Sequence, residues 1–340
     1  MFSVCVVGAG VVGLSTANCV QALLPNAQVT IVADKFLEET TSHVAAGSFR
    51  PEANLSFSLD QLIGWAQASH DHFQTIFRDC SPEESGVSMV SGYDVSSISV
   101  DRCLNPVLKK VLPDIRELRE QEMKALFPSD FKYGIYYTTF IADPRFYLRY
   151  LSKLFQARGG GTVRRKIGRL AEDSYLQTFD VVVNCSGLGS GYLADDHLMT
   201  PIRGQVLKVI APWVKHFYIA DGTYIYPAND GVVTLGGIKQ FGKWNLEVSA
   251  DDRAYVLKKC SDLVPGVRKA TIVEELVGLR PYRNTIRVEK ETLKCANGKL
   301  INVVHNYGHG SHGVALAWGT ARSAAKLVAE LHSMSLKSKL

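Results

Sequence analysis

Apolar positions along the chain change period several times, and each change marks an element. Residues 2–7 (FSVCVV) form a short apolar run rich in β-branched side chains, the pattern of one strand buried on both faces. Gly8-Ala9-Gly10-Val11-Val12-Gly13 follows at once. Leu14, Ala17, Val20, Leu23 and Leu24 then recur at helical spacing until Pro25-Asn26 stops them. Residues 28–33 predict a second buried strand with Asp34 at its end. Further on, Leu59, Leu62, Ile63, Ala66, Phe73, Ile76 and Phe77 predict an amphipathic helix opened by a Ser58/Gln61 capping box and ended near Ser81-Pro82.

Past this helix the period shortens. Residues 87–100 alternate apolar and polar like strands of a half-exposed sheet, 112–127 predict a charged helical stretch broken by Pro113, 133–141 a strand and 147–155 a helix. These pieces do not extend the doubly wound opening and are read as a second domain inserted into it. Residues 159–167 and 179–184 return to the parallel pattern, the latter running into Cys185-Ser186-Gly187 at the carboxyl edge of the sheet, where cofactors lie. Residues 204–210, 223–226 and 232–237 predict antiparallel strands. Two more, 272–277 and 285–289, flank a loop, Gly278-Leu279-Arg280-Pro281-Tyr282-Arg283. The strand 303–307 runs into Gly308-His309-Gly310-Ser311-His312-Gly313 and a helix over 320–332.

Strand, glycine turn, helix, strand and acid stand in the order that dinucleotide binding needs. Gly8 permits the tight turn, Gly10 leaves the backbone bare for a pyrophosphate, and Gly13 lets the helix lie close on the strand. The helix N-terminus presents free N–H groups and partial positive charge to phosphates. Asp34 accepts from a ribose. An ADP moiety is therefore expected, and the motif alone leaves NAD and FAD open. The second glycine-rich strand-to-helix turn, at 308–313, brings another helix N-terminus toward the same ligand.

Composition narrows the class. The 340 residues are 46% hydrophobic and 21% charged, enough for a full core and for two domains or one large α/β domain. A net charge of +5 is mild, and no stretch mixes dense Lys/Arg with aromatics, so nucleic acid is not an expected partner. No apolar stretch reaches membrane-span length, and no basic lead or cleavage site of a signal peptide is read at the start. Seven dispersed cysteines without a CxxC pair read as reduced thiols of an intracellular protein, and no metal site is read. The chain ends Ser338-Lys339-Leu340, a peroxisomal address read by an import receptor, so the peroxisome matrix is the expected location.

In order along the chain, V-V-G-A-G-V-V-G-L-S-T, T-T-S-H-V-A-A-G, D-V-V-V-N-C-S-G-L-G, P-I-R-G-Q-V, V-T-L-G-G, G-L-R-P-Y-R and H-N-Y-G-H-G-S-H-G resemble the D-amino-acid oxidase family. The resemblance spans nearly the whole chain. It implies FAD rather than NAD, and oxidative deamination of a D-amino acid by O2 to a 2-oxo acid, ammonia and hydrogen peroxide. It implies an α/β fold in which a Rossmann-like FAD-binding domain (1–50, 146–195 and 285–340) is interleaved with an antiparallel-sheet substrate domain (51–145 and 196–284). Gly8, Gly10, Val11, Val12 and Gly13 would hold the pyrophosphate and Asp34 the adenosine ribose. Lys35 would stand near the adenine, where the family often has arginine. Thr40, Thr41, Ser42 and Gly47 would line the phosphates and flavin, Ile167 and Ser186 the adenosine half, and Gly310, Ser311, His312, Gly313 and Val314 would close on the isoalloxazine.

For the substrate, Arg280 matches the arginine that pairs with the α-carboxylate, and Tyr224 the tyrosine that bonds the same group. A planar guanidinium grips a carboxylate through two parallel bonds and stays charged at any working pH. Ser311 falls near the expected substrate amino group. Lys239, in G-G-I-K-Q-F-G-K-W, and the short stretch F-Y-I-A-D-G-T-Y-I-Y-P resemble the subgroup that takes acidic substrates, so D-aspartate, and by extension D-glutamate, is expected. Ala220 stands where vertebrate members of that subgroup usually show arginine, and Arg50 is a candidate replacement charge. The alternative is an oxidase of neutral D-amino acids.

Overall fold

The computed structural model describes residues 1–52 and 58–337; Ser338-Lys339-Leu340, and with them the peroxisomal address, lie outside the described residues. The opening apolar run folds as the strand Ser3–Ala9, with Val4, Cys5 and Val6 wholly buried because both faces of the strand are covered. It pairs in parallel with Gln28–Phe36 on one side and Val181–Asn184 on the other. Gly161–Arg164 extends this parallel set beyond Gln28–Phe36, and Leu300–His309 extends it beyond Val181–Asn184. Strands this far apart in sequence can run parallel only through long crossovers. The helices Val11–Leu23, Pro144–Ala157 and Gly313–Lys337 belong to those segments.

A second, antiparallel set begins at Thr200–Ile210, which pairs with Val232–Gly236; that strand pairs with Thr223–Pro227, then Phe217–Ala220. Val87–Ser96 lies parallel to Phe217–Ala220 and antiparallel to Tyr133–Ala142. One strand joins the two sets. Thr271–Lys294, 24 residues long, pairs with Thr200–Ile210 through its first half and with Leu300–His309 through its second. The described residues thus form one 14-stranded sheet that is parallel at the nucleotide end and mostly antiparallel at the other.

This strand corrects the reading of residues 278–283 as a loop: Arg280 sits on a continuous strand. A proline cannot donate to a ladder, yet the strand runs straight through Pro281. In the register it faces Pro201, so the two missing donors fall on one rung. Three other expectations change. Residues 112–127 are not one helix. Asn105 caps a short helix Pro106–Val111 by accepting from the N–H groups of Val107 and Leu108. It stops at Leu112 because the residue before Pro113 avoids the helical region. Only Glu120–Leu126 is helical beyond it. Residues 87–100 hold a single strand, Val87–Ser96. The last helix starts at Gly313, seven residues before the expected Thr320. Gly319, inside this helix, is a contact point. A Cβ there would lie 2.1 Å from the Trp65 carbonyl oxygen, so glycine lets the last helix touch the helix Leu59–Asp79.

Candidate functional site

A cavity of about 1190 Å³ runs between the two strand sets. Its nucleotide end is built by the first glycine turn. Gly8 has φ +110°, and a Cβ on it would lie 2.5 Å from the Cys185 carbonyl oxygen. Gly13 packs so tightly that a Cβ would reach within 1.9 Å of the Gly8 carbonyl oxygen. Both positions admit only glycine. Gly10 differs: nothing but Ser42 Oγ, at 3.0 Å, stands near its missing Cβ, so its bare face opens on the cavity. The helix that follows has no side-chain cap on Gly10; instead Val11 N–H donates to Ser42 Oγ at 3.0 Å.

Almost every residue expected around the cofactor lies on this wall. Gly8, Gly10, Val11, Val12, Asp34, Lys35, Thr40, Thr41, Ser42, Gly47, Ile167 and Ser186 line it, with Gly310, Ser311, His312, Gly313 and Val314 at the start of the last helix. Gly13 is not on the wall and acts by packing behind it. Asp34 and Lys35 are exposed at the far end. Bare backbone at Gly10, two helix N-termini facing one cavity and a carboxylate at a strand end are what a dinucleotide needs, and the set fits FAD.

Toward the other end, Arg280 and Tyr224 meet. Arg280 Nη1 donates to the Ile238 carbonyl oxygen at 3.0 Å, and its guanidinium bonds the Tyr224 hydroxyl. It makes no ion pair among the described residues. Two glycines carve this arrangement. A Cβ on Gly204 would stand 2.3 Å from Arg280 Nη1, and one on Gly236, the sheet partner of Tyr224, would stand 2.2 Å from the Tyr224 ring. Neither glycine was marked by sequence reasoning, although a glycine inside an apolar strand signals a close approach. Burial pushes the Tyr224 phenol up, against the pull of Arg280. Tyr224 therefore stays an O–H donor.

Arg50 is also beside the cavity, but its charge is already matched. Its Nε and Nη2 both contact Asp94 Oδ2, at 2.8 and 2.7 Å, and its Nη1 contacts Glu52 Oε1 at 2.7 Å. Asp94 is almost fully buried, 3% exposed, which makes this pair structural as much as functional. Glu52 lines the cavity itself. Burial alone would lift its carboxyl, but His312, Lys239 and Arg50 more than offset that and hold it down at about 2. Lys239 lines the same region, exposed, with no hydrogen bond or ion pair among the described residues. Ser311 is exposed on the wall nearby. Glu52 and Asp94 carried no local sequence signal, since one lies past a short loop and the other inside a strand.

The model of the FAD dependent oxidoreductase family matches residues 3–327. Human D-aspartate oxidase is 42% identical over 330 residues, 96% of this chain and 94% of that protein. D-aspartate oxidase 1 of Caenorhabditis elegans is 38% identical over 332 residues, 96% of each chain. Among solved structures, iminodiacetate oxidase from Chelativorans sp. BNC1 superposes with a TM-score of 0.78 at 20% identity, covering 96% of this chain and 95% of that one, a likeness of fold.

Proposed function

The chain belongs to the FAD dependent oxidoreductase family, and from that premise we propose that it oxidises acidic D-amino acids, D-aspartate first and D-glutamate second. The products are the 2-oxo acid, ammonia and hydrogen peroxide, with O2 and water consumed. One observation carries the reading: among the described residues Arg280 is a cation held by uncharged partners alone, on a cavity whose other end has the residues to hold FAD. The two curated relatives named above, both D-aspartate oxidases, support the substrate class, and so does Lys239, a second cation with no hydrogen bond or ion pair among the described residues.

FAD, when bound, supplies the two-electron oxidation at Cα and passes the electrons to O2. The chain's own residues position the substrate. Arg280 binds the α-carboxylate through its planar fork, and Tyr224 donates to the same group from Thr223–Pro227, across the sheet with two strands between them. Gly204 and Gly236 let both side chains lie flat on the sheet. With the carboxylate fixed at two points, the Cα hydrogen is oriented rather than free to turn, which is where such a protein gains most of its rate. The Ser311 hydroxyl lies within the same cavity to meet the amino group.

A second reading, oxidation of neutral D-amino acids, rests on the Arg50 pairing: with Asp94 and Glu52 beside it, the Arg50 charge is already matched. Peroxide production by the purified protein with D-aspartate, D-glutamate, D-alanine and L-aspartate decides between them. Preference for D-aspartate is expected. Preference for D-alanine selects the second reading, and turnover of L-aspartate alone removes both. Import into peroxisomes through Ser338-Lys339-Leu340 belongs to the same proposal; deleting the tripeptide should leave a fluorescent fusion in the cytosol.

A further inference from the structure

We propose that Glu52 is a specificity-determining residue, an internal counter-ion that occupies the cationic side-chain end of the cavity and that an acidic substrate must compete with. The inference rests on the reading that the substrate's α-carboxylate binds Arg280. The remaining wall then faces the side chain, and the charges gathered around Arg50 on it are Asp94, Glu52 and, acting on Glu52, Lys239. Asp94 is withdrawn from competition, since it is buried and joined to Arg50 by two contacts at 2.7–2.8 Å. Glu52 is the more exposed of the two Arg50 partners, 28% against 3%, and lines the cavity. One of its oxygens is 2.7 Å from Arg50 Nη1 and the other 3.8 Å from His312 Nε2, while Lys239 shares the same wall.

A second carboxylate entering here gains Lys239 but must sit beside Glu52. Two like charges a few ångströms apart in a poorly hydrated cavity repel by several times the thermal energy. The pocket thus takes acidic side chains below the affinity that its cations would allow, and it leaves neutral side chains little penalised. The geometry also makes the test clean. If Glu52 loses its charge, Arg50 keeps Asp94, so no buried cation is left without a partner.

The experiment compares the FAD-loaded wild type with Glu52→Gln, Glu52→Asp, Lys239→Met and the Glu52→Gln/Lys239→Met double variant. Two readouts are taken: kcat and KM for D-aspartate and D-alanine, and the dissociation constants of malonate and acetate from the change in the flavin absorption spectrum. Glu52→Gln should raise the D-aspartate to D-alanine ratio of kcat/KM roughly tenfold, the order expected for removing one screened like charge. The gain should come through KM. Malonate should bind tighter by a similar factor while acetate moves in step with D-alanine. Adding Lys239→Met should abolish the gain. Glu52→Asp, whose carboxylate is drawn back by one methylene, should shift the ratio in the same direction by a smaller factor, and it stands in if the glutamine variant does not fold. A residue that merely supports the wall would lower both substrates and both anions together. An unchanged or reduced ratio, in a wild type that prefers D-aspartate, overturns the proposal. A wild type that prefers D-alanine instead overturns the substrate reading, while malonate binding by Glu52→Gln still reports on Glu52.

Discussion

Arg280 and Arg50 border one cavity and differ in what surrounds them. Arg280 touches a carbonyl oxygen, a phenol and bare glycine backbone; Arg50 touches two carboxylates. Burial does not separate them, for both are partly covered. What separates them is whether the partners carry charge. Neutral partners hold a guanidinium in place and leave its charge for a ligand. Carboxylate partners hold it more firmly and cancel it. A cation whose own neighbours are uncharged keeps its charge for a ligand, and by that measure Arg280 is the candidate binding group and Arg50 the candidate support of the wall.

Replacing each arginine tests the distinction most sharply. Arg280→Ala should leave folding and flavin content intact and lower kcat/KM for every substrate by about a thousandfold. A buried charged partner lost in this way costs about 3–5 kcal/mol. Near-normal efficiency would assign the α-carboxylate to another group. Arg50→Met should do the reverse. It leaves Asp94 buried without its cation, at about 3 kcal/mol of folding stability, so the unfolding temperature should fall by several degrees while the ratio between substrates changes little. A variant as stable as wild type with D-aspartate turnover alone diminished would make Arg50 a binding group after all.

Next in size is Gly204→Ala. The added methyl would occupy space now 2.3 Å from Arg280 Nη1. The guanidinium is the far end of a flexible side chain, so the sheet should survive and the cation should move. Efficiency should fall by roughly tenfold to a hundredfold, through KM, for D-aspartate and D-alanine alike, since a displaced fork loses one or both charged hydrogen bonds of about 1.5–3 kcal/mol each. An unaffected KM would show that the close packing over Gly204 does not set the clamp.

How much of this could be read beforehand follows the distance over which each part is assembled. The nucleotide end is local. Strand, turn, helix and acid fall within residues 3–36, and spacing alone carries their geometry, so Gly8, Gly10 and Asp34 stand where expected. The substrate end gathers residues from segments scattered between residues 50 and 311, and its logic is in pairs. Arg280 and Tyr224 entered only by resemblance, and their supports Gly204 and Gly236 were missed because a strand glycine reveals a neighbour only once register is known. Arg50 was weighed as a binding charge because nothing local ties residue 50 to residue 94. The long strand was misread at Pro281 because its mate, Pro201, lies eighty residues away. Charge partnership and register are properties of the fold, and the chain order does not display them.

The smallest expected effect concerns Ser311, which stands between the two ends and belongs by location to neither. Its hydroxyl is exposed on the cavity wall and makes no hydrogen bond among the described residues, so its removal strands no protein group. Loss of one neutral hydrogen bond to a substrate is worth about 0.5–1.5 kcal/mol, so Ser311→Ala should lower kcat/KM by only a few-fold. The informative quantity is which substrates feel it. A group that meets the amino nitrogen acts on an atom that all D-amino acids share, and the loss should then be equal for D-aspartate, D-glutamate and D-alanine. A group that meets the distal carboxylate would penalise the acidic pair alone and spare D-alanine. The equal loss is expected, because the charges proposed to discriminate side chains (Lys239 and Glu52) lie on other segments of the wall, and Ser311 sits in the Gly310–His312 turn just ahead of the helix that starts at Gly313. A loss confined to acidic substrates would move Ser311 to the side-chain end and make the boundary between the two ends lie within the 310–314 turn itself.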